Sequence, residues 1–170
     1  MSNVIFIDLD ETLVNFITSF SNKRDKITFD CGEHFYGYVR PLATEMLRDL
    51  REIAPTRLLT TGMREYALKV NEFYNFKFLP QDILALEDCW VEEQIGYGKD
   101  WMTLNKNVST HSILIDNLPP TETWPRRKMH YLGIKSDRYI QIREFNGKDP
   151  DAFLGEWKGI LKAIGELFNQ

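Results

Sequence analysis

Two aspartates stand two residues apart, directly after the first apolar run of the chain. The run Val4–Ile7 is typical of a short buried strand, and it is followed by Asp8-Leu9-Asp10-Glu11-Thr12. Carboxylates are costly to bury unless a metal ion or hydrogen-bond donors compensate them. Such a pair can hold a hard cation such as Mg²⁺ through its oxygens. Once its charge is neutralised, one carboxylate can attack an electrophilic phosphorus while the other transfers protons.

Two later apolar runs also end in polar side chains suited to the same chemistry. Thr60 closes the run that begins at Arg57, and Asp116-Asn117 follow Ser112–Ile115. The acid and the amide would complete a cation site, and the hydroxyl suits a phosphoryl oxygen. A threonine at this position can equally cap the next helix, and Thr61 is a competing candidate. An isolated Asp-x-Asp motif would most often only cap a loop, but three such strand ends favour a common site.

The spacing of apolar residues predicts the elements that position these side chains. Short β-rich runs alternate with stretches in which apolar residues recur every three or four positions. This alternation predicts an α/β domain with a mainly parallel sheet, in which right-handed crossovers bring Asp8, Thr60 and Asp116 to one edge. The predicted strands are Val4–Ile7, Arg57–Thr60, Ile83–Leu86, Ser112–Ile115 and Tyr139–Ile142. The predicted helices are 41–53, 64–74, a short one that follows Gly96–Lys99 and runs through Leu104, and 150–168.

Two of these helices carry more detailed expectations. Pro41 is predicted in the first turn of its helix, where a missing N–H has no consequence. Tyr66, Val70 and Phe73 have the spacing of residues on the buried face of the next helix. Both predictions depend on local spacing alone.

Length and composition limit the class of protein. The 170 residues fit one domain, 1–170, with 43% apolar residues for its core and a net charge of −4. This charge argues against a nucleic-acid partner without excluding one, and Arg126-Arg127-Lys128 fits a solvated loop. No signal peptide or membrane-spanning run is found, which predicts a soluble cytoplasmic protein. Cys31 and Cys89 fit two ordinary thiols, with one disulfide as the alternative.

Two segments stand outside the alternation of strands and helices. Residues 16–39 combine polar Ser19–Lys26 with β-rich Ile27–Phe29 and Phe35–Val39, which predicts a flap or hairpin. Residues 86–98 are irregular and acidic, which predicts a loop on the substrate side. The sequence leaves the role of the flap open, as it does for the segment after Trp124.

Taken in order, the candidate residues resemble the signature of the haloacid dehalogenase superfamily. They are Asp8-Leu9-Asp10-Glu11-Thr12, Thr60, Lys99 and Asp116-Asn117. The resemblance implies a Rossmann-like three-layer α/β/α fold, with Asp8 as the nucleophile of an aspartyl-phosphate intermediate and Asp10 as general acid/base. It also implies that Thr60 and Lys99 stabilise the phosphate. Mg²⁺ would bind Asp8, the backbone carbonyl of Asp10 and the Asp116-Asn117 pair.

Further residues are similar to the FCP/SCP-type C-terminal-domain phosphatases, the NLI-interacting-factor-like group. Asp8–Val14 followed by Tyr38-Val39-Arg40-Pro41, and Leu59-Thr60 followed by Tyr66-Ala67, carry this similarity. The resemblance implies a serine/threonine phosphoprotein phosphatase, and no segment between the motifs is long enough for a large cap domain. The expected phosphate- or substrate-binding residues are Thr12, Arg40, Thr61 and Gly62.

Three departures from the family pattern leave the substrate open. Asn15 stands where these phosphatases often have histidine, Leu86–Trp90 lacks an arginine, and the region after Trp124 matches poorly. A small-molecule or nucleotide phosphatase therefore stays an alternative, followed by a polynucleotide 3′-phosphatase, which the negative charge disfavours. An alternative from another class is a binding protein that keeps the fold without turnover. The intact candidates argue against it: Asp8, Asp10, Thr60, Lys99 and Asp116.

Overall fold

The computed structural model describes residues 3–17, 24–88, 90–92, 96–100, 111–119, 131–132, 136–147 and 152–169. In chain order the described strands are β1 (Ile5–Ile7), β2 (Val14–Ile17), β3 (Asp25–Thr28), β4 (His34–Val39), β5 (Thr56–Leu59), β6 (Ile83–Leu84), β7 (Trp90–Glu92), β8 (Gly96–Asp100), β9 (Ile113–Asp116), β10 (Tyr131–Leu132) and β11 (Tyr139–Gln141). The described helices are α1 (Ala43–Ile53), α2 (Arg64–Phe73) and α3 (Ala152–Phe168). Short 3₁₀ turns span Pro80–Asp82, Leu86–Asp88 and Ser136–Arg138.

A five-stranded parallel sheet lies at the centre of the fold, in the order β11-β9-β1-β5-β6. The middle strand, β1, is apolar throughout because both faces of the sheet are buried. Ile5 and Ile7 belong to the core on one face and Phe6 to the core on the other, and all three are fully buried. The prediction of an α/β fold with a mainly parallel sheet is therefore confirmed.

The three described helices share one apolar core with the central sheet. Helix α1 contributes Leu50, and α3 contributes Phe153, Trp157 and Ile164. The indole N–H of Trp157 also donates to Asp49 Oδ2 at 3.2 Å, which ties α3 to α1 and gives the buried ring its acceptor. None of the helices in the described ranges is long and apolar enough to cross a membrane.

Two local expectations about the helices are wrong. Helix α1 begins at Ala43, and Leu42 before it has φ 69°, so Pro41 lies outside the first turn. A left-handed residue interrupts a right-handed helix, which can therefore begin only after Leu42. Phe73 is 50% exposed because it lies at the end of α2, whereas Tyr66 is buried as its spacing predicts.

Strands β2, β4 and β3 form a separate antiparallel sheet in that order. The register pairs Phe16 with Gly37 and Ile27 with Phe35. Phe16, Ile27 and Phe35 all pack against the main core, together with the buried Phe29. The sheet therefore presents its apolar face to the rest of the domain, and it lies against α2.

A third sheet joins β10, β8 and β7. Strand β8 runs antiparallel to β7 and parallel to β10, where Lys99 pairs with Tyr131. The predicted helix is therefore wrong at Asp100, because this residue pairs with Leu132 of β10. Its remaining residues, 101–104, lie outside the described residues. The segment predicted as a loop over 86–98 contains a 3₁₀ turn and strand residues.

Candidate active site

Three neighbouring strands of the central sheet deliver candidate residues to one edge. Asp8 follows β1, Thr60 follows β5, and Asp116 is the last residue of β9. Because these strands are parallel and adjacent, their carboxyl ends lie side by side. Backbone hydrogen bonds continue past the strands: Asp8 N donates to Ile115 O and Thr60 N donates to Leu84 O, both at 2.9 Å. The structure thus brings the three residues to a common edge.

Asp8 and Asp116 form a pair of buried carboxylates. The register of β1 on β9 pairs Ile7 with Ile115, so the next residues along each chain occupy neighbouring positions. Adjacent strands lie about 4.8 Å apart. The exposed fractions are 7% for Asp8 and 0% for Asp116, and Asp116 Oδ1 accepts a hydrogen bond from Leu118 N at 2.8 Å. Two acids this close and this buried repel each other unless a cation or a proton stands between them.

Hydroxyl groups hold both oxygens of the Asp10 carboxylate. Tyr66 donates to Oδ1 at 2.5 Å, and Thr60 donates to Oδ2 at 3.4 Å. The amide N–H of Gly62 donates to Thr60 Oγ1 at 3.0 Å, which orients that hydroxyl. Burial, followed by the negative charge of Asp10, raises the pKa of Tyr66 well above its usual value, so the phenol stays protonated and acts as a donor.

An open cavity of about 460 Å³ lies beside Asp10. A Cβ atom on Gly62 would lie 3.0 Å from Tyr66 Cδ1 and 3.3 Å from Thr60 Oγ1, so a larger residue here would require these two side chains to shift by a few tenths of an ångström. Thr61 and Gly62, two of the predicted substrate-binding residues, line the cavity. The full lining is Asp10, Phe16, Phe35, Thr61, Gly62, Met63, Tyr66 and Leu86.

Glu11, Thr12 and Asn117 link the loop after β1 to the loop after β9. Thr12 Oγ1 donates to Asn117 Oδ1 at 3.2 Å, and Asn117 Nδ2 donates to Glu11 Oε2 at 3.1 Å. Thr12 is fully buried and its hydroxyl is engaged with Asn117, so its contact with phosphate or substrate stays a prediction. These bonds fix the loop that carries Asp10 to the loop that follows Asp116.

The charges at this edge fit a divalent cation. Burial raises the pKa of Glu11, and so do the negative charges of Glu144, Asp10 and Asp116. In the described part of the chain, no three acidic, histidine or cysteine side chains come together as a metal site. Mg²⁺ does not need three, because it is usually held by one or two carboxylates, with water and phosphate as further ligands. Asp8 and Asp116 can supply those carboxylates.

Arg40 lies in the core, contrary to the expectation that it binds phosphate or substrate. Its side chain is 1% exposed. The guanidinium lies over the rings of Phe153 and Phe145, at 4.2 and 5.3 Å from their centroids, and Nη2 donates to Arg143 O at 2.5 Å. A cation enclosed in this way does not meet a ligand that arrives from solvent. We therefore assign Arg40 a structural role.

Replacing Arg40 by methionine tests this assignment. The variant keeps an apolar stem but loses the cation–ring contacts and the bond to Arg143 O, so we expect the free energy of unfolding to fall by about 2–4 kcal/mol. Urea unfolding measures this loss. The sequence predicts phosphatase activity, and this activity, measured per folded molecule, should be the same in the variant as in the wild type. As control, Arg48→Met on the exposed side of α1 should change stability by less than about 0.5 kcal/mol. Loss of activity in fully folded Arg40→Met protein would instead indicate that Arg40 takes part in binding phosphate or substrate.

Several predicted features fall outside the described residues. The backbone of Lys99 belongs to β8, but its side chain is not among them, so its phosphate contact stays a prediction. Cys89, the basic cluster 126–128, the first two residues of the last predicted helix (150 and 151) and the segment directly after Trp124 also lie outside the described residues. Cys31 is an exposed free thiol.

Sequence reasoning does not find the contact between Tyr66 and Asp10. Spacing places Tyr66 on the buried face of α2 and indicates packing only. One signal is present nevertheless, because a buried tyrosine needs an acceptor for its hydroxyl. The contact of Glu11 with Asn117 is also not predicted, and here the sequence offers no signal.

Comparisons with known proteins bear on the family and on the fold of this chain. The family model of NLI interacting factor-like phosphatases matches residues 3–169. A variant of the fission yeast RNA polymerase II CTD phosphatase Fcp1, bound to beryllium fluoride, is similar at 15% identity and a TM-score of 0.59, over 96% of this chain and 50% of that one. A structure of Fcp1, an essential RNA polymerase II CTD phosphatase, is similar at 14% identity and a TM-score of 0.60, over 95% and 49%.

These likenesses have clear bounds. At such identities the two solved structures show a shared fold, which confirms the haloacid dehalogenase fold expected from the sequence. The chain spans about half the length of each of these structures. No curated protein sequence matches it.

Proposed function

The chain belongs to the family of NLI interacting factor-like phosphatases, and on that premise we propose that it hydrolyses phosphomonoesters with Mg²⁺, through an aspartyl-phosphate on Asp8. The observation that carries the proposal is the grouping of carboxylates at one sheet edge. Asp8 and Asp116 are neighbours there, and Asp10 is held by Tyr66 and Thr60. Acids in such different surroundings can divide the roles of nucleophile and acid/base between them.

The reaction would take place in two steps, and each step uses Asp10. A carboxylate oxygen of Asp8 attacks phosphorus in line with the leaving oxygen, and the bond from phosphorus to that oxygen breaks. Asp10 gives its proton to the leaving oxygen, which departs as the alcohol. Asp10 then takes a proton from a water molecule, whose oxygen attacks phosphorus. This second attack releases inorganic phosphate and regenerates Asp8.

The cation would be held by the carboxylates of Asp8 and Asp116 and by the backbone carbonyl of Asp10. When bound, Mg²⁺ neutralises carboxylate charge, so that an anionic phosphate can approach the nucleophile. Asn117 is already engaged with neighbouring side chains, and we propose that it keeps Asp116 in place and adds an oxygen ligand. Lys99 is proposed to offset the charge of the phosphate.

We propose a serine/threonine phosphoprotein as the substrate class. The family motifs support it, the similar Fcp1 structures are of a CTD phosphatase, and the cavity beside Asp10 is open. A small phosphomonoester or nucleotide is the second candidate, because a cavity of about 460 Å³ is large enough to hold one.

A substrate screen separates these classes. Phosphoserine peptides, nucleotides and 3′-phosphorylated oligonucleotides would be compared by kcat/KM, with p-nitrophenyl phosphate as a reference that favours no class. We expect turnover that requires Mg²⁺ and is fastest with the peptides. A preference for nucleotides would instead support the second candidate. If the protein hydrolyses none of these substrates, and beryllium fluoride with Mg²⁺ does not raise its Tm, it would be a non-catalytic binding protein.

Removal of Mg²⁺ and of one carboxylate tests the metal site. A ligand that binds only the folded protein stabilises it, so Mg²⁺ at about 100 times its Kd should stabilise the wild type by about 2.7 kcal/mol, and EDTA should reverse this effect. Asp116→Asn should lose most of the Mg²⁺-dependent rise in Tm, yet be at least as stable as the wild type in EDTA. Asp30→Asn, at an exposed acid, should keep the full rise. An undiminished rise in Asp116→Asn would refute the assignment of Asp116 as ligand.

A further inference from the structure

Tyr66 connects the antiparallel sheet β2-β4-β3 to Asp10. Its hydroxyl donates to Asp10 Oδ1 at 2.5 Å, and its side chain is almost fully buried. The ring faces those of Phe16, Phe29 and Phe35, at centroid distances of 6.4, 6.3 and 5.6 Å. Since rings packed on several sides keep one rotamer, the hydroxyl is fixed in space by residues of this sheet and of the turn after β3.

The two oxygens of the Asp10 carboxylate are held unequally. Oδ1 has the short bond from Tyr66, whereas Oδ2 has the longer contact of 3.4 Å with Thr60. Hydrogen bonds weaken as they lengthen, so Oδ1 is the anchored oxygen. Oδ2 is then the oxygen better placed to give a proton to a leaving group and to take one from water.

We propose that Tyr66 is a positioning residue for Asp10, and that the aromatic rings of the antiparallel sheet set this position. The inference rests on the proposed phosphatase function, in which Asp10 protonates the leaving oxygen. Phe16 and Phe35 also line the cavity beside Asp10. A substrate that fills the cavity would therefore contact the rings that hold the acid in place, which couples substrate binding to the orientation of Asp10.

Two phosphate esters of nearly the same shape distinguish misplacement of Asp10 from a general loss of activity. Phenyl phosphate needs a proton on its leaving oxygen, whereas p-nitrophenyl phosphate releases a stabilised anion and depends on that proton far less. A displacement of about 1 Å at a reacting group can reduce the rate by about 10²-fold. Misplacement of Asp10 should therefore slow the first ester much more than the second. The value to compare is kcat/KM, because it reports the step in which the leaving group departs.

Tyr66→Phe is the central variant, because it removes the hydroxyl and keeps the ring. We expect kcat/KM for phenyl phosphate to fall roughly tenfold or more, and that for p-nitrophenyl phosphate to fall less than about threefold. Phe29→Leu tests the ring contacts, because Phe29 packs on Tyr66 but does not line the cavity. It should also reduce kcat/KM selectively for phenyl phosphate, but by a smaller factor of about threefold.

Tyr74→Phe is the matched control. Its hydroxyl donates to a carboxylate oxygen of Asp25 at 2.6 Å and the variant keeps the ring, so the ratio of the two kcat/KM values should stay that of the wild type. The ratio is independent of the folded fraction, since both esters are measured on one preparation. Equal losses for both esters in Tyr66→Phe would overturn the positioning role, and an unchanged ratio in Phe29→Leu would overturn its dependence on the aromatic rings packed around Tyr66. Wild-type protein that hydrolyses neither ester would instead overturn the proposed function, and the inference with it.

Discussion

Asp8→Asn should lower kcat for p-nitrophenyl phosphate by at least about 10⁴-fold, since the loss of a nucleophile removes the covalent route altogether. The amide has nearly the shape of the carboxylate but does not attack phosphorus. The change also removes one of two buried neighbouring charges, so the protein without metal should be at least as stable as the wild type. Steady-state kinetics and thermal unfolding together would separate lost chemistry from lost folding.

The control for Asp8→Asn is Asp30→Asn, which makes the same chemical change at an exposed side chain paired with Lys69. It should keep wild-type kcat and KM. Mass spectrometry of protein quenched during turnover should show one added phosphoryl group in the wild type and none in Asp8→Asn. Wild-type activity in Asp8→Asn would refute the proposed mechanism.

Asp10→Asn should have the second largest effect, and the effect should depend on the leaving group. General acid catalysis contributes about 10²–10⁴-fold, so kcat/KM for phenyl phosphate should fall by that factor. With p-nitrophenyl phosphate the first step needs little acid and continues. The second step lacks its base, so the phosphorylated enzyme should accumulate. We expect a burst of about one p-nitrophenol per enzyme, followed by slow turnover.

The matched control for Asp10→Asn is Asp25→Asn, because both carboxylates accept a hydrogen bond from a tyrosine, Tyr66 in one case and Tyr74 in the other. Asp25→Asn should show no burst and no change in leaving-group dependence. Rapid-mixing absorbance of released p-nitrophenol measures both. Equal slowing of the two esters in Asp10→Asn, without a burst, would remove Asp10 from the acid/base role.

The frame of the fold could be predicted from local patterns. Three apolar runs were expected as strands and are β1, β5 and β9, with ends shifted by about one residue. Strands that are buried on both faces are continuous apolar runs, so a short stretch of sequence is enough to detect them. The polar residues that end these runs then lie at one edge because adjacent strands are parallel. The placement of Asp8, Thr60 and Asp116 is thus a consequence of sequence pattern and chain connectivity.

The hydrogen-bond partners of Arg40 and Thr12 could not be predicted in this way. Both were expected to bind phosphate, and both are buried, with hydrogen-bond partners 103 and 105 residues away in Arg143 and Asn117. A window around either residue contains no information about those partners. The helix expected after Lys99 fails at Asp100 for the same reason, because pairing with Leu132 of β10 determines the backbone there.

The sequence by itself determined which residues could do phosphoryl chemistry and which strand ends carry them, because residue type and apolar spacing are local properties. Only the tertiary structure decided how Asp10 is held. Its partner Tyr66 lies 56 residues further along the chain, and the rings that fix Tyr66 belong to a different sheet from the one that carries Asp8. Packing of this kind depends on the joint shape of side chains that meet only after the chain has folded, and no local pattern records it.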